Sequence, residues 1–159
     1  MVKKTVVVIG ETGDFCPALA KAAVQQDLRL LFISRDEDKN SALKEQLGQL
    51  EQTAEVEFLS CEKEGCWEAD VIAFTRPLEI EAALLERIAQ VSTQKIVLVI
   101  SGEAKQEDKE ELCFQNLLPH SKVVELELNH QEFRIFGKNT EANESVQTFL
   151  KSAGYHQKQ

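Results

Sequence analysis

Short apolar runs alternate along this chain with longer stretches in which apolar residues recur every three or four positions. Thr5-Val6-Val7-Val8-Ile9 is unbroken and β-branched, the pattern of a central parallel strand buried on both faces. Leu28–Ile33, the shorter Glu55–Leu59, Ala69–Phe74 and Lys95–Ile100 read as further strands, and Lys122–Leu128 and Glu132–Phe136 as two more. Helical spacing predicts helices over Asp14–Gln26, with Pro17 in the first turn, and over Asp36–Leu50, with Leu43, Leu47 and Leu50 on one face. A third helix is expected to open at Pro77 and run to Gln90, and a fourth to span Glu107–Leu118 before Pro119 stops it. The last covers Glu141–Ala153, capped by Asn139 or Thr140 and closed by Gly154.

Strands alternating with helices imply a mostly parallel sheet covered by helices on both faces. The sequence shows no internal repeat, low-complexity stretch or long linker. Its 159 residues suit one domain, long enough to bury a core without staples. The expected fold class is therefore α/β, a single three-layer domain over residues 1–159.

Charge narrows the partners. A net charge of −9 repels phosphate backbones and argues against nucleic acid and anionic membrane as partners. A small phosphorylated ligand stays compatible, because one site can be positive on an acidic protein. No apolar run approaches the ~20 residues that span a bilayer, and the run after the basic start is too short for a signal peptide. A cytoplasmic location is the expectation. Four cysteines, at positions 16, 61, 66 and 113, lack the paired close spacing of structural zinc, so reduced thiols and no metal are expected.

The candidate chemistry lies where strands end. Gly10-Glu11-Thr12-Gly13-Asp14-Phe15-Cys16 joins the first strand to the first helix. Dinucleotide-binding (Rossmann-like) folds place a glycine-rich turn there, so that the backbone can approach a pyrophosphate closely at a helix N-terminus. Gly10, Thr12, Gly13, Asp14 and Phe15 are the candidate contacts. Cys16 takes the place of a third glycine, and Glu11 and Asp14 set two carboxylates beside the anion site. An empty turn whose glycines serve only the bend is the competing reading.

After the second strand comes Ser34-Arg35, with Lys39 four positions beyond Arg35. An acidic residue there would favour NAD. A hydroxyl, a guanidinium and an ammonium suit the 2′-phosphate of NADP(H) instead. The alternative is a solvated basic pair. Thr75-Arg76-Pro77 follows the fourth strand on the pyrophosphate and nicotinamide side, with Arg76 either a phosphate ligand or a surface residue. Ser101 ends the fifth strand, where substrate groups often sit. No catalytic constellation is evident: His120 and His130 fall in a turn and a loop, and His156 in the tail.

These residues together resemble the NADP-binding domain of the deazaflavin (coenzyme F-420)-dependent NADP oxidoreductases along nearly the whole chain. The shared features are Gly10, Thr12 and Gly13; Ser34, Arg35 and Lys39; Ala69-Asp70-Val71 and then Pro77; Leu118-Pro119 with Lys122-Val123-Val124; and Gly137-Lys138-Asn139 before a closing helix that ends at Gly154-Tyr155. The resemblance implies that Ser34, Arg35 and Lys39 hold the 2′-phosphate. The chain departs from the family in being shorter, in lacking Asn-Pro after the fifth strand, and in a short Val124–Phe136 stretch with Asn129 displaced by one. Those segments shape the pocket of the hydride partner in the family. A homodimer in which a second subunit supplies one wall is one way to complete a trimmed pocket. Three functions remain open on sequence: an NADP(H)-dependent oxidoreductase, a non-catalytic nucleotide-binding or sensing module, and an interaction domain that has lost its ligand.

Overall fold

The computed structural model describes residues 4–10, 28–33, 37–38, 41–42, 45, 55–75, 80–101, 113–129, 132–152 and 154–157. The strands are β1 (Thr5–Ile9), β2 (Arg29–Ile33), β3 (Glu55–Leu59), β4 (Val71–Phe74), β5 (Ile96–Ser101), β6 (Lys122–Asn129), β7 (Glu132–Phe136) and β8 (His156–Gln157). They form one eight-stranded sheet in the order β3-β2-β1-β4-β5-β6-β7-β8. The six strands from β3 to β6 are mutually parallel. β7 turns back antiparallel on β6, and β8 lies parallel to β7.

Strand alternation divides the core in two. Val6, Val8, Leu30, Phe32, Ala73 and Leu98 face one side, and Val7, Ile9, Leu31, Ile72, Phe74 and Val97 face the other. Because parallel strands are buried on both faces, every residue of β1 is buried. The first side is packed by helix α4 (Thr140–Ser152), through Ala142, Val146 and Leu150. The second side carries α1 (Glu62–Glu68), α2 (Ala82–Ile88) and α3 (Phe114–Leu117), through Cys66, Leu85, Ile88 and Phe114. Helices thus cover both faces, as the alternation predicted.

Several boundaries differ from expectation. Of the helix expected over Pro77–Gln90, the described residues show α2 (Ala82–Ile88), before which Glu81 is extended with φ −87° and ψ 145°, while Pro77 lies outside the described residues. The helix expected over Glu107–Leu118 reduces, among the described residues, to α3, because Cys113 is extended at φ −82°, ψ 96°. Helix α1 and strand β8 were not expected, and His156, read as tail, lies in β8. Residues 37–38, 41–42 and 45 are helical, as predicted for Asp36–Leu50. The helix predicted over Asp14–Gln26 lies outside the described residues.

Helix α1 sits close to the sheet because residue 65 is glycine. A Cβ there would stand 2.9 Å from Ile33 Cδ1 and 3.1 Å from Val7 Cγ2. Its C-terminal carbonyls are tied to β5 by Lys95, whose Nζ donates to Cys66 O and, at 2.6 Å, to Trp67 O. A cation at that end also complements the helix dipole.

Candidate functional site

A parallel sheet opens a crevice where neighbouring strands send their connections in opposite directions, beyond the carboxyl ends of the strands. Here that point lies between β1 and β4, which are adjacent in the sheet although β2 and β3 separate them in sequence. Their register sets Ile9 opposite Phe74. The residues that follow, Gly10 and Thr75, therefore stand side by side at the mouth of the crevice. A hydrogen bond pins them: the Thr75 amide donates to Ile9 O at 3.2 Å.

Gly10 has φ +153°, a region that L-residues avoid because of Cβ, so glycine is required by the backbone itself. The same lack of a side chain leaves the peptide bare where β1 ends. At Thr75 the signal is different. Its Oγ1 is shielded from solvent and, among the described residues, has no hydrogen-bond partner. Buried hydroxyls in native proteins nearly always have a partner.

The other candidates fall as follows. β2 ends at Ile33, level with Ile9, and Ser34, Arg35 and Lys39 come after it, outside the described residues. Thr12, Gly13, Asp14 and Phe15 lie outside them too, as do Arg76 and Pro77. Ser101 ends β5, which runs two residues past the β4–β5 pair Phe74–Val99 and so reaches the same edge. The structure thus brings Gly10, Thr75 and Ser101 to one edge of the sheet. Among the described residues no cluster of three or more His, Cys, Asp or Glu side chains could hold a metal ion. No helix there is long and apolar enough to cross a membrane.

The opposite edge is chemically plain. An apolar cleft of about 540 Å³, counting open solvent, lies between the strand starts and α4, lined by Lys4, Val71, Ile96, Val146 and Phe149 among others. Cys66, fully buried on the sheet-facing side of α1, has its thiol pushed up to about 12 by burial. A thiol held protonated is no nucleophile. Sequence position had already named Thr75 as a candidate; that its hydroxyl lacks a partner among the described residues is visible only in the structure.

No family model matches the chain, and no curated protein matches it by sequence. Solved structures do. A pyrroline carboxylate reductase of Plasmodium falciparum, solved with NADP bound, superposes with TM-score 0.67 at 16% identity, covering 100% of this chain and 59% of that one. A pyrroline-5-carboxylate reductase of Coxiella burnetii gives 0.69 at 13% identity, covering 99% and 60%. A hypothetical protein of Sinorhizobium meliloti gives 0.65 at 19% identity, covering 99% and 84%. The chain has the Rossmann-like fold. It spans about three-fifths of the length of the two reductases.

Proposed function

We propose that this chain is an NADP(H)-binding domain, single over residues 1–159, that serves hydride transfer. The observation that carries the reading is the crevice at the β1–β4 reversal, where Gly10, with a backbone suited to glycine, stands beside Thr75 at the carboxyl ends of the strands. The similarity to a reductase solved with NADP supports it at the level of fold.

Each residue then has a part. This reading assigns Gly10 and Gly13 to keep side chains away from the diphosphate, and the backbone amides of Thr12, Asp14 and Phe15 to its charge. Ser34, Arg35 and Lys39 hold the 2′-phosphate, with arginine donating two parallel bonds. Thr75, Arg76 and Pro77 are assigned to the pyrophosphate and nicotinamide side, and Ser101, at the end of β5, to the place where substrate groups often sit. When bound, NADP(H) supplies a hydride donor or acceptor, and the protein's task is to bind, orient and exclude water. That division of labour explains why no acid–base set is evident in the sequence. The motif order shared with the deazaflavin-dependent oxidoreductases makes a deazaflavin the first hydride partner to test. A second copy of the chain would supply the missing pocket wall.

Parallel calorimetric titrations with NADPH and NADH test the reading. NADPH is expected to bind well above NADH. Arg35→Ala should weaken NADPH by about tenfold or more, since a hydrogen bond to a charged group is worth ~1.5–3 kcal/mol, and leave NADH nearly unchanged. Equal weakening of both would remove Arg35 from the 2′-phosphate, and no binding of either would end the proposal.

A further inference from the structure

We infer that Glu127 and Arg134 form a subsite for a small zwitterion, a molecule that carries a carboxylate and a protonated amine close together, as an α-amino acid does. The inference rests on the reading just proposed and names a class of hydride partner other than the deazaflavin.

The register of the sheet builds the subsite. β4 ends at Phe74, level with Val99, Glu125 and Phe136. β5 ends two residues further on, at Ser101, level with Glu127 and Arg134. β6 and β7 run on to the pair Asn129–Glu132. The carboxyl edge of the sheet thus climbs in steps, and β6 and β7 stand as a wall beyond the end of β5. Glu127 and Arg134 lie where that wall begins. β6 is two strand spacings from β4, about 10 Å, so a small molecule beside the inner end of a dinucleotide in the crevice comes within reach of both.

Their orientation and charge supply the second observation. Leu126 and Phe133 are buried in the core on the first side of the sheet, so strand alternation turns Glu127 and Arg134 to the second side. Both are half-buried. Directly opposite residues on antiparallel strands have Cβ atoms ~4.5–5.5 Å apart, and opposite charges so placed attract. Among the described residues these two nevertheless make no ion pair and no side-chain hydrogen bond. A carboxylate and a guanidinium left open side by side complement a molecule that carries both charges. The guanidinium donates two parallel bonds to its carboxylate, and the Glu127 carboxylate accepts from its ammonium. A lone anion at Arg134 would be repelled by Glu127, and a lone cation at Glu127 by Arg134.

The test is a ligand-detected NMR titration of the full chain, loaded with NADP, using glycine, alanine and valine. Each is compared with the amine and the carboxylic acid that carry only one of its charges. Glu127→Gln and Arg134→Gln each remove one charge from the protein. The expected result is that at least one amino acid binds tenfold or more tightly than its singly charged relatives, and that each variant loses about tenfold in that affinity. NADPH affinity and melting temperature stay at the wild-type values in both variants. Amino acids bound no better than the singly charged compounds, or bound as well by either variant as by the wild type, overturn the subsite while NADPH binding stands. If both variants melt several degrees lower and no amino acid binds, the two side chains pair with each other and serve the sheet, and the inference fails alone. A wild-type protein that binds neither NADPH nor NADH overturns the proposed function, and this inference with it.

Discussion

Single positions in this protein are decided by what lies against them. Gly65 lets α1 approach the sheet, because any side chain would meet Ile33 and Val7. The next residue, Cys66, is sealed by that approach, and burial raises its thiol from the ordinary 9.0 to about 12. The nearby Lys95 ammonium works in the other direction on Cys66, while Glu62 and Cys61 reinforce the rise. A pH dependence follows. An unfolded chain releases the Cys66 proton near pH 9 and the folded one holds it, so this group's contribution is complete below pH 9 and is lost as pH rises toward 12. The loss runs at up to ~1.4 kcal/mol per pH unit. Burial lowers the Lys95 ammonium, an effect of opposite sign that partly offsets the fall. Urea unfolding of the wild type and Cys66→Ala between pH 8 and 11 checks this. The variant should be less stable at pH 8 but should lose less stability above pH 9, and parallel curves would contradict the account.

Elements depend on their ends as much as on their interiors. Helix α4 is the longest one described, and its amphipathic spacing places Ala142, Val146 and Leu150 against the sheet. Its start is fixed by Asn139, whose Oδ1 accepts from the Ala142 amide at 2.9 Å. Of the two caps that the sequence allowed, Asn139 is therefore the one used. Its end is closed at Gly154, with φ +93°, where the Tyr155 amide donates to Leu150 O at 3.1 Å. Asn139→Ala should cost about 1 kcal/mol, read as a lower urea midpoint with an unchanged slope. Asn139→Asp should recover most of it, because an anion at an N-terminus is favourable. Helix α1 shows why other elements were missed. It is seven residues long, rich in charge and interrupted by Gly65, so no apolar period is visible. It is a helix because Cys66 and Gly65 find a surface to pack on and Lys95 caps its end.

At the scale of the molecule, the sheet order places the strongest strands in the middle. β1, β4 and β5 have neighbours on both sides and helices over the sheet, whereas β8 is a two-residue, exposed edge. Opening free energies should follow that order. Hydrogen exchange followed by mass spectrometry should find the slowest amides in β1, β4 and β5 and rapid exchange in β8. Slow exchange at β8 would point to an edge covered in solution.

What the sequence determined by itself is what depends on neighbours a few positions away. The β-branched run Thr5–Ile9, the alternation in Glu132–Phe136 and the helical spacing of α4 are local periodicities, and each predicted its element closely. The glycine demanded at position 10 was legible for the same reason, since a strand must end there and turn. The order of strands, the face that each helix covers and, among the described residues, the unpartnered hydroxyl of Thr75 were decided only by the tertiary structure. Those features arise between residues distant in sequence, where burial, register and the presence or absence of a hydrogen-bond partner are properties of the assembled core and not of any stretch of chain.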